Sequence, residues 1–326
     1  MVEEPSCMTS TTVSVIICTY TYKRLERMLE AIDAVRGQPS PPQELVVCVD
    51  HNPELFADLR QRLGSEAVVV ENVGARGLSD ARNSAIAVAQ GEIMVFLDDD
   101  AVPEQGWLDA LLEPFVEPAV MGVGGSILPY WEVERPAWFA EELGWVFGCD
   151  YAGMQRSGAI RNPIGCNMAI RRAPFDIGVL FPSTIRRVGG NAAAGGETEF
   201  FFRVATAFPS ARFVFAPMAR VHHSVPADRC TVRYVLRRSL QEGIAKARIA
   251  TLHRGDGTST LSSEQRYVRY LVWNALPAHL LAASRDLREL ARLAIICSVT
   301  AIAGGAYLFT RARSLRPTPQ ELPWIG

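Results

Sequence analysis

Four short apolar runs alternate with helix-patterned stretches early in the chain: residues 13–18 (VSVIIC), 45–49 (LVVCV), 67–70 (AVVV) and 93–97 (IMVFL). Runs this short, rich in Val and Ile and apolar at every position, read as strands covered on both faces. Between them, 23–35 and 78–89 have helical spacing. Residues 53–63 carry Pro53 at the start and Gly64 just past the end, the usual asymmetry of a helix. Strand then helix at this spacing demands crossover connections, and crossovers build parallel sheets. The expected fold class is α/β, with a mainly parallel central sheet and helices on both faces.

Such sheets bind ligands outside the carboxyl ends of their strands. Thr19 and Tyr20 follow the first run, Asp50 the second, and Asp98-Asp99-Asp100 the fourth. Adjacent carboxylates repel one another, and burial adds a desolvation cost. A hard divalent cation such as Mg²⁺ or Mn²⁺, sharing its oxygen ligands with substrate phosphates, relieves both. The plainer alternative is a solvated acidic turn capping the next helix. Convergence of three polar groups on one edge favours a nucleotide site. No G-x-G-x-x-G follows the first run and no G-x-x-x-x-G-K-[ST] occurs, which disfavours dehydrogenases and P-loop enzymes.

The 326 residues are 48% hydrophobic and 21% charged, a globular balance. A net charge of -2, without a Lys/Arg stripe, disfavours nucleic acid as a partner. The 7 cysteines are scattered with no CxxC pair, which argues against a zinc or redox motif and suits a reducing cytoplasm. Cys18 and Cys48, inside apolar runs, read as core thiols. Residues 1–12 are acidic and polar, lack the apolar region of a signal peptide, and read as a flexible tail.

Beyond Asp100 the pattern is mixed. Residues 107–115 read as a helix, 121–127 as a Gly-rich strand, and 163–172 as another strand. The rings of Trp131, Trp138, Trp145 and Tyr151 read as core or lid packing before a sugar platform. Residues 185–196 are Gly/Ala-rich and read as a mobile loop. A helix is expected over 197–206, with acids in its first turn favourable to its dipole. A short strand over 212–215 and a long basic helix over 231–248 follow. Residues 253–263 read as a linker, with Ser262 and Gln265 as a capping box for the next helix. Residues 293–310 carry no charge and are flanked by arginines on both sides. That is the lower limit for crossing a bilayer; a buried or interfacial helix is the alternative.

At this point the residues match a family. The chain resembles the family 2 glycosyltransferases of the GT-A fold through VSVIICTYTYKR at 13–24, ELVVCVD at 44–50 and GLSDARNSAIAVAQGEIMVFLDDD at 77–100. GWLDALL at 106–112, GGETEFFFR at 195–203 and ARVHHSV at 219–225 also fit. The start ICTYT is similar to members acting on polyprenyl- or dolichyl-phosphate-linked sugars. The resemblance implies a GT-A domain over 13–250, followed by a linker and C-terminal helical segment over 251–326.

The roles carry over by position. Thr19, Tyr20, Asp50, Arg82, Asp98 and Asp99 are expected around the nucleotide sugar. Asp50 would meet the base, Asp98 the ribose, and Asp99 would point away if the backbone stays extended. Asp100 would hold the metal, with His223 completing its shell, and Asn167 would face the acceptor or serve as a turn amide. The family usually carries Glu-Asp before Thr-Glu, the second acid being the catalytic base. Here Gly196-Glu197 stands there, so Glu197 takes the base position and Glu199 is the fallback.

The resemblance implies inverting sugar transfer from a nucleotide-diphosphate donor, UDP favoured, assisted by Mn²⁺ or Mg²⁺. The acceptor would be a glycan or lipid-linked hydroxyl. The expected location is the cytoplasm, at the inner face of the cell membrane if the C-terminal stretch meets lipid. Two alternatives stand beside it: a sugar nucleotidyltransferase, disfavoured because 19–24 has no glycine, and a binding scaffold, supported by the missing acid at Gly196.

Overall fold

The computed structural model describes residues 11–183, 195–252 and 261–314. The expectations for residues 1–10, for nearly all of the 185–196 loop and for most of the 253–263 linker lie outside them.

The first half builds as expected. β1 (Val13–Thr19), α1 (Leu25–Arg36), β2 (Glu44–Val49), α2 (Pro53–Leu63), β3 (Val68–Glu71), α3 (Leu78–Ile86) and β4 (Ile93–Asp98) follow one another in sequence. α2 is capped by the Asn52 side chain, which accepts from the Leu55 N–H. β1 pairs in parallel with β2 and β4, and β2 with β3.

The second half widens the sheet with mixed pairings. It comprises β5 (Ala101–Pro103), α4 (Trp107–Leu112), β6 (Val120–Trp131), β7 (Asn167–Arg171), α5 (Ala173–Asp176), α6 (Gly196–Ala207) and β8 (Arg212–Val225). β7 runs antiparallel to β4 and β6, β5 antiparallel to β8, and β6 parallel to β8. The strand order is β3-β2-β1-β4-β7-β6-β8-β5. β6 and β8 far outrun their expected lengths because each sustains the other's ladder across a bulge at Gly125/Ser126. β7 is shorter than expected, starting only at Asn167.

Alternation along the strands divides the core. Val13, Val15 and Ile17 face Met28 and Ile32 of α1 and Leu55 and Leu59 of α2. Ile16, Met94 and Phe96 face Ala81 and Ala85 of α3 and Phe200, Phe201 and Val204 of α6. Helices therefore cover both faces. Trp131 packs edge-on against Phe139 and Phe147, and Trp145 against Tyr267, so those rings belong to packing.

The C-terminal helices are α7 (Val232–Leu252), α8 (Ser262–Tyr270), a π-helical turn (Leu271–Ala275), α9 (Leu276–Ala282) and α10 (Arg288–Ser314). The expected capping box is corrected: Ser262 is already helical and no side chain caps α8. α10 crosses α7 so closely that a Cβ on Gly243 would lie 2.1 Å from the Ala303 carbonyl oxygen. Large apolar side chains remain exposed here, among them Val272, Trp273, Leu280, Leu281, Leu287 and Phe309.

Candidate active site

Strand register gathers the predicted acids. Cys18 lies between Cys48 and Asp98 in the ladder, so the carboxyl ends of β1, β2 and β4 share one rim. A cleft of about 1850 Å³ opens there and runs on to α7, α8 and α10. Thr19, Tyr20, Asp50, Arg82, Asp98, Asp99, Asp100, Glu197 and His223 all line it.

Asp50 is fixed from several sides. Its Oδ1 accepts from Asn72 Nδ2 at 2.6 Å and meets His51 Nδ1 at 2.9 Å, while Oδ2 accepts from the Gly77 N–H at 3.0 Å. Gly77 adopts φ 140°, a region a side chain would strain, and this aims its N–H at the carboxylate. His51 sits at φ 53°, backbone strain of a kind that accumulates at ligand sites.

The aspartate triplet departs from the extended-strand expectation. β4 ends at Asp98, and Asp99-Asp100 turn. Asp99 therefore does not point away: Arg24 Nη1 reaches Asp99 Oδ1 at 2.7 Å and Asp100 Oδ2 at 3.1 Å. Thr19 Oγ1 donates to Asp99 Oδ2 at 2.8 Å. Thr19 thus orients an acid from a buried position. Burial raises the Asp99 carboxyl to about 6 against the pull of Arg24.

His223 joins from β8, because β5 pairs Ala101 with His223 and the Ser224 N–H donates to the Asp100 carbonyl. His223 Nε2 stands 3.3 Å from Asp100 Oδ1. Burial disfavours the imidazolium, but the Asp100 charge outweighs it and pushes His223 up to about 10. Burial likewise opposes ionisation of Asp100, yet His223 and Arg24 hold it well below the usual carboxylate range.

Whether these residues fit a divalent cation is decided by charge and by one atom. Asp98, Asp99, Asp100 and Glu197 face the guanidiniums of Arg24 and Arg82 and the His223 imidazole. Asp100 Oδ1 is buried, and its contact is the His223 imidazole at 3.3 Å, with no closer hydrogen bond among the described residues. A buried carboxylate oxygen with lone-pair capacity to spare can take a further ligand. The ligand atoms of Asp98, Cys166 and His223 moreover lie within 4.8 Å of one another. The corner fits a cation.

Arg82, on α3, is not a helix-surface residue. Its Nη1 donates to Glu197 Oε1 at 2.9 Å, its Nη2 to the Gly165 carbonyl at 2.9 Å, and Nη2 faces Asp98 Oδ1 at 3.4 Å. Phe96 and Phe181 pack near the guanidinium. Neighbouring Asn83 clamps Phe181 through both backbone groups. Glu197 is set on the first turn of α6, whose Phe200 and Phe201 are fully buried; each anchors the helix by about 2–3 kcal/mol.

Two expected site residues are placed away from the cleft. Asn167 does not line it. It is wholly buried, donates to Ser126 O and Ala219 O, and accepts from Trp107 Nε1, so it ties β7 to β6 and β8. Glu199 does not line the cleft; it lies 3.8 Å from Arg203 on its own helix. Sequence reasoning missed Arg24 and Cys166. Arg24 sits just past the end of β1 inside the TYTYKR segment, where a basic residue facing the acidic rim was open to view. Cys166 precedes β7 and carried no spacing signal.

Comparison with known proteins shows the family and the fold. The profile of "Glycosyl transferase family 2" matches residues 14–178. Glucosyl-dolichyl phosphate glucuronosyltransferase of Haloferax volcanii is 30% identical over 239 residues, covering 72% of this chain and 76% of the relative. Succinoglycan biosynthesis protein ExoM of Rhizobium meliloti is 25% identical over 245 residues, covering 73% and 74%. The solved mannosyltransferase PcManGT from Pyrobaculum calidifontis, in complex with GDP-Man and Mn²⁺, shares the fold at TM-score 0.57 and 20% identity, covering 94% of this chain and 88% of that one. The chain belongs to glycosyl transferase family 2 and is a glycosyltransferase of the GT-A fold.

Proposed function

We propose that the protein transfers a sugar from a nucleotide-diphosphate donor, with uridine the favoured base, to an acceptor hydroxyl with inversion. The observation that carries this reading is the meeting, in one cleft, of the acidic corner at Asp98–Asp100 with Glu197. Asp50 and Tyr20 would receive the nucleoside. Asp100 and His223 would hold Mn²⁺ or Mg²⁺, which when bound offsets charge on the departing diphosphate. Glu197 takes the proton of the acceptor hydroxyl. That oxygen bonds to the anomeric carbon as the bond from this carbon to the diphosphate oxygen breaks, the electron pair leaving with the diphosphate. One displacement inverts the configuration.

The acceptor end is supported by the far arm of the cleft. Arg233 and Arg237 stand at the start of α7, and Val272, Trp273 and Tyr307 line the wall beyond. Cationic groups leading to an apolar wall suit a phosphate carrying a lipid chain. The relative named for glucosyl-dolichyl phosphate points the same way. Among the described residues, the helix over 288–313 is long and apolar enough to cross a membrane, and only 17% of its most apolar window is buried. With the exposed side chains of α9, it suits contact with a membrane face. The GT-A domain would then be 13–250, with the remainder as its acceptor-side attachment.

The test is a thermal-shift screen of UDP-, GDP- and dTDP-sugars with Mn²⁺, followed by transfer assays with and without EDTA. Donor-dependent stabilisation that needs Mn²⁺, lost in Asp100→Ala together with turnover, is expected. Full activity of Asp100→Ala in EDTA overturns the reading.

A further inference from the structure

We propose that Cys166 is a thiolate ligand of this same corner, acting with Asp98 and His223, and that it gives the site a preference for thiophilic divalent cations such as zinc. The inference rests on the reading that the acidic rim takes a cation. It adds a donor atom that a purely acidic motif does not supply.

Position is the first argument. Asp98 ends β4, Cys166 immediately precedes β7, and His223 lies on β8, so three separate elements bring one donor each. Their ligand atoms all lie within 4.8 Å of one another. Backbone pairing pins the arrangement: the Asp98 N–H donates to the Cys166 carbonyl at 3.3 Å, and Ala101 pairs with His223. Cys166 and His223 are both buried, yet both line the cleft. The grouping must draw in to become a ligand shell, in which metal–sulfur bonds run about 2.3 Å and metal–nitrogen or metal–oxygen bonds about 2.0–2.2 Å.

The second argument is independent of the cysteine. Asp100 Oδ1 is buried and pairs with His223 Nε2 at 3.3 Å, with no closer hydrogen bond among the described residues. A carboxylate oxygen with lone-pair capacity to spare beside the cluster offers a further donor.

Donor chemistry then decides the cation. Oxygen donors alone suit magnesium and manganese, whereas one sulfur, one imidazole nitrogen and carboxylate oxygens form a zinc set. For an N/O/S site zinc also outranks manganese in intrinsic affinity. On binding, the Cys166 S–H and the protonated His223 imidazole each give a proton to solvent as the sulfur–metal and nitrogen–metal bonds form. Zinc would therefore displace manganese from this corner.

The experiment uses cadmium as an optical probe on the full chain, because a sulfur–cadmium bond adds an ultraviolet charge-transfer band. Cd²⁺ is titrated into wild type, Cys166→Ser and Cys297→Ser, the last removing an exposed thiol, each with and without UDP. Mn²⁺ binding is followed in parallel by the loss of its free-ion paramagnetic signal. The expected result is a saturable band in wild type and Cys297→Ser that is lost in Cys166→Ser. Cys166→Ser should still bind Mn²⁺ and should bind Zn²⁺ at least about tenfold more weakly than wild type. Mn²⁺ binding without a cadmium band, or a band undiminished in Cys166→Ser, overturns the cysteine ligand while leaving the metal reading intact. Absence of all metal binding, with or without UDP, overturns both.

Discussion

Arg82 Nη1 donates to Glu197 Oε1 at 2.9 Å across 115 residues of sequence, and the same guanidinium also holds the Gly165 carbonyl and faces Asp98. One buried cation on α3 thus ties the base of the proposed reaction, on α6, to the acidic rim at the end of β4. Arginine's planar fork serves three acceptors at once, which a lysine ammonium at one point does not.

Arg82→Lys is expected to lower turnover about 10–100-fold, since misplacing a catalytic group by an ångström costs on that order. Arg82→Ala leaves the half-buried carboxylates of Asp98 and Glu197 without their cation and should destabilise the fold by about 1–3 kcal/mol. Steady-state kinetics on the first and urea unfolding on the second check the two statements separately.

Glu197→Gln should lose about 10²–10⁴-fold in turnover while keeping donor affinity. Isothermal titration with the donor, alongside the transfer assay, reads both. Normal turnover would remove Glu197 from the mechanism and move the base role to Glu199 or elsewhere.

Gly165 is small for a reason. A Cβ there would lie 2.3 Å from Glu197 Oε1 and 2.7 Å from Arg82 Nη2. Gly165→Ala must push this ion pair aside, so a stability loss of about 1–3 kcal/mol is expected together with a fall in turnover. A variant as active as wild type would show that the pair does not position the base.

Glu264 lies between Lys246 Nζ at 2.7 Å and Arg161 Nη1 at 2.8 Å, on the helical side of the cleft. Burial opposes its ionisation, but the two cations prevail and lower it from 4.5 to about 2. A depressed folded-state value stabilises fully above the unfolded value and is lost as pH falls through the folded one. The melting-temperature gap between wild type and Glu264→Gln should be constant above about pH 4.5 and close toward about pH 2. A gap independent of pH across that window would show that the carboxylate's charge contributes nothing.

The exposed leucines of α9 give the membrane proposal a handle. Replacing Leu280 and Leu281 together with Asp should reduce co-sedimentation with lipid vesicles about tenfold or more, since each leucine transfers about 1.5–3 kcal/mol of apolar surface. Unchanged co-sedimentation would place the contact elsewhere or nowhere.

Much of this was legible in the chain. The four apolar runs became β1, β2, β3 and β4 within a residue or two; β1, β2 and β4 are covered on both faces as expected, whereas β3 is an edge strand with Val68 exposed. The helix over 53–63 was bounded by its own Pro53 and Gly64. Boundaries failed where partners decide them: β8 runs ten residues beyond Phe215, held by its ladder with β6. Ser262 did not cap because α8 had already begun at that residue.

What the sequence alone determined was the kind of chemistry: acids at strand ends, the Ala81-Arg82-Asn83 segment, and the acids opening α6. Local pattern suffices for these because a strand's carboxyl end and a helix's first turn are defined by neighbouring residues. Tertiary structure alone decided which residues meet. The turn after Asp98 put Asp99 and Asp100 together on Arg24, and the depth of β7 made Asn167 a strand tie. Convergence of β4, β7 and β8 placed Cys166 beside Asp98 and His223. Those contacts join segments far apart in the chain, and no spacing rule encodes a distance that only packing sets.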